Sequence, residues 1–132
     1  MAFGNLKFDT LTTSDSANTS TEKSLDTSYI FNGSAKAWAS ITGDSFTLSD
    51  NFNVSSMTDN ATGRPEANFT NNMANATFCA IGSSGDNSTT FNVCSDVGEQ
   101  TTAVFDIRCV NDAANSTIDV PDTVGAVHGD LA

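Results

Sequence analysis

"AWASITGDSFTLSDNFNVSSMTDNATGRPEANFT", residues 37–70, alternates apolar with small polar side chains and then breaks at a turn. A period of two places alternate side chains on opposite faces of an extended strand. In this reading Phe46 and Leu48 share one face, and Phe52, Val54 and Ser56 share a face beyond a bulge or bend at Ser49–Asn51. The run TDNATGRP (58–65) is dense in turn formers, with Gly63 suited to positive φ and Pro65 to an edge or turn. The chain then returns through EANFT with Ala67 and Phe69 facing inward, so 44–70 predicts a hairpin.

The same pattern extends towards the C-terminus. ATFCAIG (76–82), the loop SSGDNS (83–88) and TTFNVCSDV (89–97) predict a second hairpin, with Gly82, Gly85 and Asn87 as turn residues and Phe91 and Val93 facing the core. TTAVFDIRCVN (101–111) is the clearest strand: Ala103, Phe105, Ile107 and Cys109 lie on one side, and Val104, Asp106, Arg108 and Val110 on the other. That register predicts an Asp106–Arg108 charge pair on the outer face, worth little when solvated. A last strand runs through TIDVPDTVGAVHG (117–129), with Pro121 marking an edge or kink at its start.

Towards the N-terminus, FGNLKFDTL (3–11) predicts a short strand. Residues 12–28 are nearly free of large apolar groups, so burial cannot offset the entropy of ordering them. Tyr29, Phe31 and Trp38 predict an aromatic anchor where the folded body begins. The expected division is an arm, residues 1–28, and a β-body, residues 29–132. Short strands at regular spacing with no sustained helical period predict an all-β fold, an antiparallel sandwich or jelly roll with an extended N-terminal arm. Unpaired edges and a thin core predict a homo-oligomer.

Composition narrows the function. Apolar residues make up 38% of the 132, against about 45–50% in ordinary domains. The formal net charge of −11 repels phosphate backbones and anionic lipid, and the five basic residues (Lys7, Lys23, Lys36, Arg64, Arg108) form no stripe. Neither nucleic acid nor membrane is therefore an expected partner. No apolar run reaches the roughly 18–20 residues a spanning helix needs, and MAFGNLKFDTLTT is not a secretory signal. The expectation is a chain made in a cytoplasm.

Chemistry-bearing motifs are sparse. Cys79, Cys94 and Cys109 are spaced by fifteen, with no C-x-x-C and only His128 to join them, so they read as small apolar fillers rather than zinc ligands. A disulfide between two of them would require an oxidising medium. His128 lacks a G-x-S-x-G elbow or an oxyanion loop around any serine. Asp44, Asp50, Asp59, Glu66 and Asp86 sit at turns or strand ends, with nothing to single out a glycosidase pair. DNATG and SGDNS each lack the full calcium-loop pattern. Eight N-x-[ST] sequons, at Asn18, Asn32, Asn53, Asn60, Asn68, Asn75, Asn87 and Asn115, follow from a composition rich in Asn, Ser and Thr. No cofactor, metal or catalytic residue is expected. If a partner is bound, loops on a rigid sheet are the carriers; the candidates are Asp59, Asn60, Thr62 and Arg64 in one turn and Ser84, Asp86 and Asn87 in the next.

NGSAKAW (32–38), SFTLSDNFNVSSMTDNATG (45–63) and ANFTNNM (67–73) resemble a β-module recurrent in tail fibres and virion structural proteins of cyanophages and related marine phages. LKFDTLTTSDS (6–16) resembles the family's leader, and GAVHGDLA (125–132) its final strand. His128 stands where the family usually has Phe, which implies a less buried position. GRPE (63–66) replaces the usual G-D-Y-T, which implies a remodelled hairpin. The resemblance brings no catalytic residue. It implies a bacteriophage virion structural protein, a fibre-type β-domain assembled in the host cytoplasm and displayed on the particle, with capsid decoration as the alternative location and a phage glycan hydrolase as a remoter one. The implied partners are other capsid or tail proteins, further copies of the chain as a trimer, and a host surface glycan or receptor. Phe3, Leu6, Phe8 and Leu11 are the expected contacts of the attachment arm.

Overall fold

The computed structural model describes residues 10–12, 24–42, 45–85, 93–111 and 116–132. The chain divides into two compact units, Met1–Ser34 and Ala35–Ala132. In the first, strand β1 (Thr10–Thr12) pairs antiparallel with β2 (Ser24–Asp26), Leu11 opposite Leu25, and helix α1 (Thr27–Gly33) follows. Ser34 closes the helix, its backbone N–H and its hydroxyl both donating to the Ile30 carbonyl. The helix was not expected. It also overturns the anchor reading of two aromatics, because Tyr29 is 72% and Phe31 68% exposed. The division accordingly falls after Ser34, beyond the residue 28 at which the sequence reading placed it.

The second unit is all-β. Strands β3 (Ala37–Thr42), β4 (Thr47–Phe52), β5 (Val54–Asp59), β6 (Pro65–Phe69), β7 (Cys79–Gly85), β8 (Val93–Gln100), β9 (Val104–Asn111), β10 (Ser116–Thr117) and β11 (Asp122–His128) form two sheets. One has the order β4-β3-β11-β7. The other runs β10-β9-β6-β5, with β8 also on β9. All their ladders are antiparallel.

The hairpin predicted over 44–70 forms as β5–β6, with Asp59 opposite Pro65 and Ala67 and Phe69 buried. The preceding segment does not stay in one sheet. Its bulge falls at Ser49, since Ser40 pairs with Asp50 and Ile41 with Leu48. The chain then crosses from the four-stranded to the five-stranded sheet at Asn53, which has φ 57°. Asn tolerates the left-handed region better than most residues. Here the amide side chain fixes the crossing, donating to Asn71 O at 3.0 Å and accepting from Asn71 N at 2.8 Å. Phe52, Val54 and Ser56 do not share a face: the crossing puts Phe52 on the other sheet, and a register shift between Val54 and Ser56 leaves Val54 buried and Ser56 exposed.

The second predicted hairpin is also corrected. Among the described residues β7 pairs with β11 and β8 with β9, in different sheets. Gly82 is a strand residue opposite Gly125, not a turn residue. Asn87 and Phe91 lie outside the described residues. The last strand, β11, begins after Pro121 as expected, yet it is central, flanked by β3 and β7.

The core lies between the sheets. Ala37, Ala39, Ile41 and Val127 on one side meet Ala67, Phe69, Phe105, Ile107 and Cys109 on the other. Small residues on the four-stranded sheet accept large ones from its partner. A Cβ at Gly125 would stand 2.7 Å from Ile107 Cδ1 and 2.8 Å from Phe105 Cε2. Phe69 stacks on Phe105 at 5.7 Å between ring centroids and meets Phe78 edge-on at 5.8 Å, geometries that aromatic rings favour.

Candidate functional site

Strand pairing brings together a surface that no linear motif announces. Phe52 lies opposite Trp38, Trp38 opposite Ala126, and Ala126 opposite Ile81. Directly paired residues share a face, so an apolar row crosses all four strands on the outer side of this sheet. Val124 extends it, flanked by Ser40 and Ser83. Phe52 is 51%, Ile81 56% and Val124 48% exposed. Ala126 is the small member of the row, and above it lies a groove of about 280 Å³ walled by Trp38, Ile81 and Val124. Its remaining lining is Ala39, Ser40, Gly82, Ser83 and Gly125, all uncharged.

The expected binding turn at 59–66 is built differently. Asp59, Asn60 and Thr62 are exposed at its tip. Asn60 is held by Glu66, its Nδ2 donating to Oε2 at 2.9 Å. Gly63 is buried at φ 68° and inserted into the sheet: its N–H donates to Asp119 Oδ1, and its carbonyl accepts from Cys109 N at 2.8 Å. A side chain there would strike the Ile118 backbone and the Cys109 carbonyl.

Arg64 reaches from the same turn to β9, where both Nε and Nη2 donate to Asp106 Oδ2, the Nε bond at 3.1 Å. Asp106 Oδ1 accepts the Glu99 N–H. Asp106 was expected on a solvated outer face, paired with Arg108. It is fully buried and its ion pair is with Arg64. The sequence period correctly assigned the face. It could not show that Arg64, far away in sequence, and the Glu99 backbone roof that face over.

The other candidates are dispersed. Ser84 belongs to β7 and is half-buried. Asp86 and Asn87 lie outside the described residues, as do Phe3, Leu6 and Phe8, while Leu11 is placed in β1. Of the acids weighed for catalysis, Asp50 is exposed on β4 and Asp59 at the end of β5, Glu66 is engaged with Asn60, and Asp44 and Asp86 are outside the described residues. His128 is half-exposed at the end of β11, opposite Cys79. Cys109 is the apolar filler expected, 3.7 Å from the Thr123 hydroxyl, whereas Cys79 is exposed and corrects that reading. Among the described residues no three His, Cys, Asp or Glu side chains gather as a metal site would. No helix among them is long and apolar enough to cross a membrane.

Sequence reasoning missed the groove because cross-strand neighbours are set by register. One signal was present: in TVGAVHG both phases of the alternation carry apolar residues, Val124 and Ala126 in one and Gly125 and Val127 in the other. Such a strand is apolar on both faces. Searches against protein-family models, curated proteins and solved structures find no match to this chain.

Proposed function

We propose that this chain is a structural protein of a bacteriophage particle, a fibre-type β-domain that contributes a surface rather than a reaction. The observation that carries this reading is the groove on the four-stranded sheet. Its nine lining residues are uncharged, and none of them can serve as a general acid or base near neutral pH. A concave site of this composition suits contact with another apolar surface. Arg64, one of the polar side chains that looked available for recognition, supports the same reading, since it is held by Asp106 within the fold. The resemblance of residues 32–73 to marine phage structural modules supplies the setting. In that setting the first unit, residues 1–34, attaches the body to capsid or tail proteins, the chain works as a homo-oligomer, and the exposed tip at Asp59, Asn60 and Thr62 faces a host glycan or receptor.

Quantitative mass spectrometry of purified particles tests the proposal. A fibre is expected in few copies and co-purifies with tails. A decoration protein is expected in many copies and rebinds isolated capsids, which would move the chain to the shell. Absence of the chain from particles overturns the reading. So does hydrolysis of a host envelope polysaccharide by the purified chain that is lost on replacing Asp50, Asp59 or Glu66.

A further inference from the structure

We propose that the outer face of the four-stranded sheet is a self-association surface, on which two copies of this chain stack about a two-fold axis and each fills the groove of the other. The inference rests on the reading that the chain works assembled, and it specifies which surface does the assembling.

A two-fold contact requires a patch complementary to itself. This face carries both halves of the fit. Ala126 floors a hollow of about 280 Å³; Ile81 and Val124 stand at its edge as exposed apolar knobs, and Phe52 is a third in the same row, beyond Trp38. The only tryptophan, Trp38, walls the hollow at the centre of the row. A central aromatic anchor ringed by smaller polar groups is how stable interfaces are organised. Ser40 and Ser83 supply that ring on either side of Val124.

Charge selects the partner. The chain carries a net charge of −11, so two copies repel unless they meet through neutral surface. The groove lining is neutral throughout. Asp122 lies at the start of β11 and Lys36 and His128 at the opposite end, while Asp50, on the edge strand β4, stands beside Ser40 in the Val124 row, outside the groove lining. A two-fold axis perpendicular to the strands reverses their direction in the second copy. The Asp122 end of one face then lies over the Lys36 and His128 end of the other. A cationic partner would find no acid in the groove, and a polysaccharide would find only two hydroxyls among nine residues.

Area sets the strength. Four strands about 4.8 Å apart, each of six or seven residues rising about 3.3 Å, present a face of roughly 400 Å². Two such faces remove roughly 800 Å² in projection, and somewhat more as accessible surface. Stable interfaces start near about 1,200 Å². The contact is therefore weak and reversible, suited to copies already concentrated on a particle.

The test uses the full chain in reducing buffer, which keeps Cys79 from cross-linking. Sedimentation velocity from about 1 to about 200 µM, the range where such contacts report, should show monomer passing to dimer. Trp38 fluorescence should shift to the blue over the same range. Raising salt from about 0.05 to about 0.5 M shortens the Debye length and should tighten association several-fold. The I81D/V124D variant should stay monomeric with an unchanged circular dichroism spectrum; I81S/V124S serves if the acidic variant misfolds. A wild type that remains monomeric, a folded variant that associates as the wild type does, or a trimer as the first assembled species overturns the proposal. A blue-shifted Trp38 emission independent of concentration also overturns it, since the chain's own residues would then fill the groove. A monomer in solution that is still found in particles sinks this inference alone, and a dimer absent from particles sinks the functional reading alone.

Discussion

The two sheets of the body present opposite outer faces. On the five-stranded sheet the outward residues form a polar mesh: Asn68 Nδ2 donates to Thr58 Oγ1 at 2.9 Å, Asn60 to Glu66, and Arg64 to Asp106. On the four-stranded sheet the outward row is Phe52, Trp38, Ala126 and Ile81. The inner faces are both apolar and pack one core, small side chains on the four-stranded sheet against large ones on its partner. The difference teaches where the chain keeps its polar chemistry. One face directs it inward to hold loops onto the fold, and the other leaves apolar surface for something outside it. Substitutions on each face should therefore separate stability from association.

The largest expected effect lies in the roofed ion pair. Among the described residues, removing Arg64 leaves the fully buried Asp106 with the Glu99 N–H, so Arg64→Ala should cost about 3–5 kcal/mol, as breaking buried pairs does. Removing Asp106 is milder. Arg64 is 37% exposed in its side chain and can turn to water, so Asp106→Ala should cost about 1–3 kcal/mol, chiefly for the orphaned Glu99 amide. Urea unfolding of both variants measures the asymmetry. Equal losses would mean that burial of the carboxylate is not what makes this face rigid.

A smaller loss is expected where the sheets interlock. Gly125→Ala places a methyl group against Phe105, itself stacked on Phe69. Overpacking of this kind costs about 1–3 kcal/mol. The effect belongs to the shared interior, so Gly125→Ala should lower the unfolding midpoint. Smaller again is the exposed part of the mesh. Asn68→Ala removes one bond to Thr58 and one to the Ser56 carbonyl and should cost about 0.5–1.5 kcal/mol, read from the same urea midpoints.

Much of the interior was legible in the sequence. Alternation alone assigned Ala67, Phe69, Phe105, Ile107 and Cys109 to the core, because a period of two fixes side-chain faces without knowledge of partners. It also located the bend that becomes the bulge at Ser49 and the glycine of the turn at Gly63. What failed was everything that depends on which strand lies beside which. Neighbouring strands β7 and β8 were expected to pair because sequential strands often do, yet β7 joins β11 from the far end of the chain. The groove inherits that failure, since Trp38, Ile81 and Val124 come from three strands and meet only through register. Asp106 shows the converse: its face was read correctly, but its environment was set by Arg64, 42 residues away.

The smallest effect on stability is expected from the residues with the largest proposed effect on assembly. Ile81 and Val124 are about half exposed on the outer face, where truncation opens no cavity between the sheets. Surface substitutions of this kind usually change stability by within about 0.5 kcal/mol, so I81S/V124S should unfold close to the wild type at concentrations where both are monomeric. At high concentration the two should diverge, because association stabilises the folded state by mass action. The wild-type midpoint should then rise with protein concentration and the variant's should not. A variant whose midpoint drops at every concentration would show that the apolar row supports the fold itself, and the contrast between a load-carrying polar face and an outward-directed apolar one would collapse.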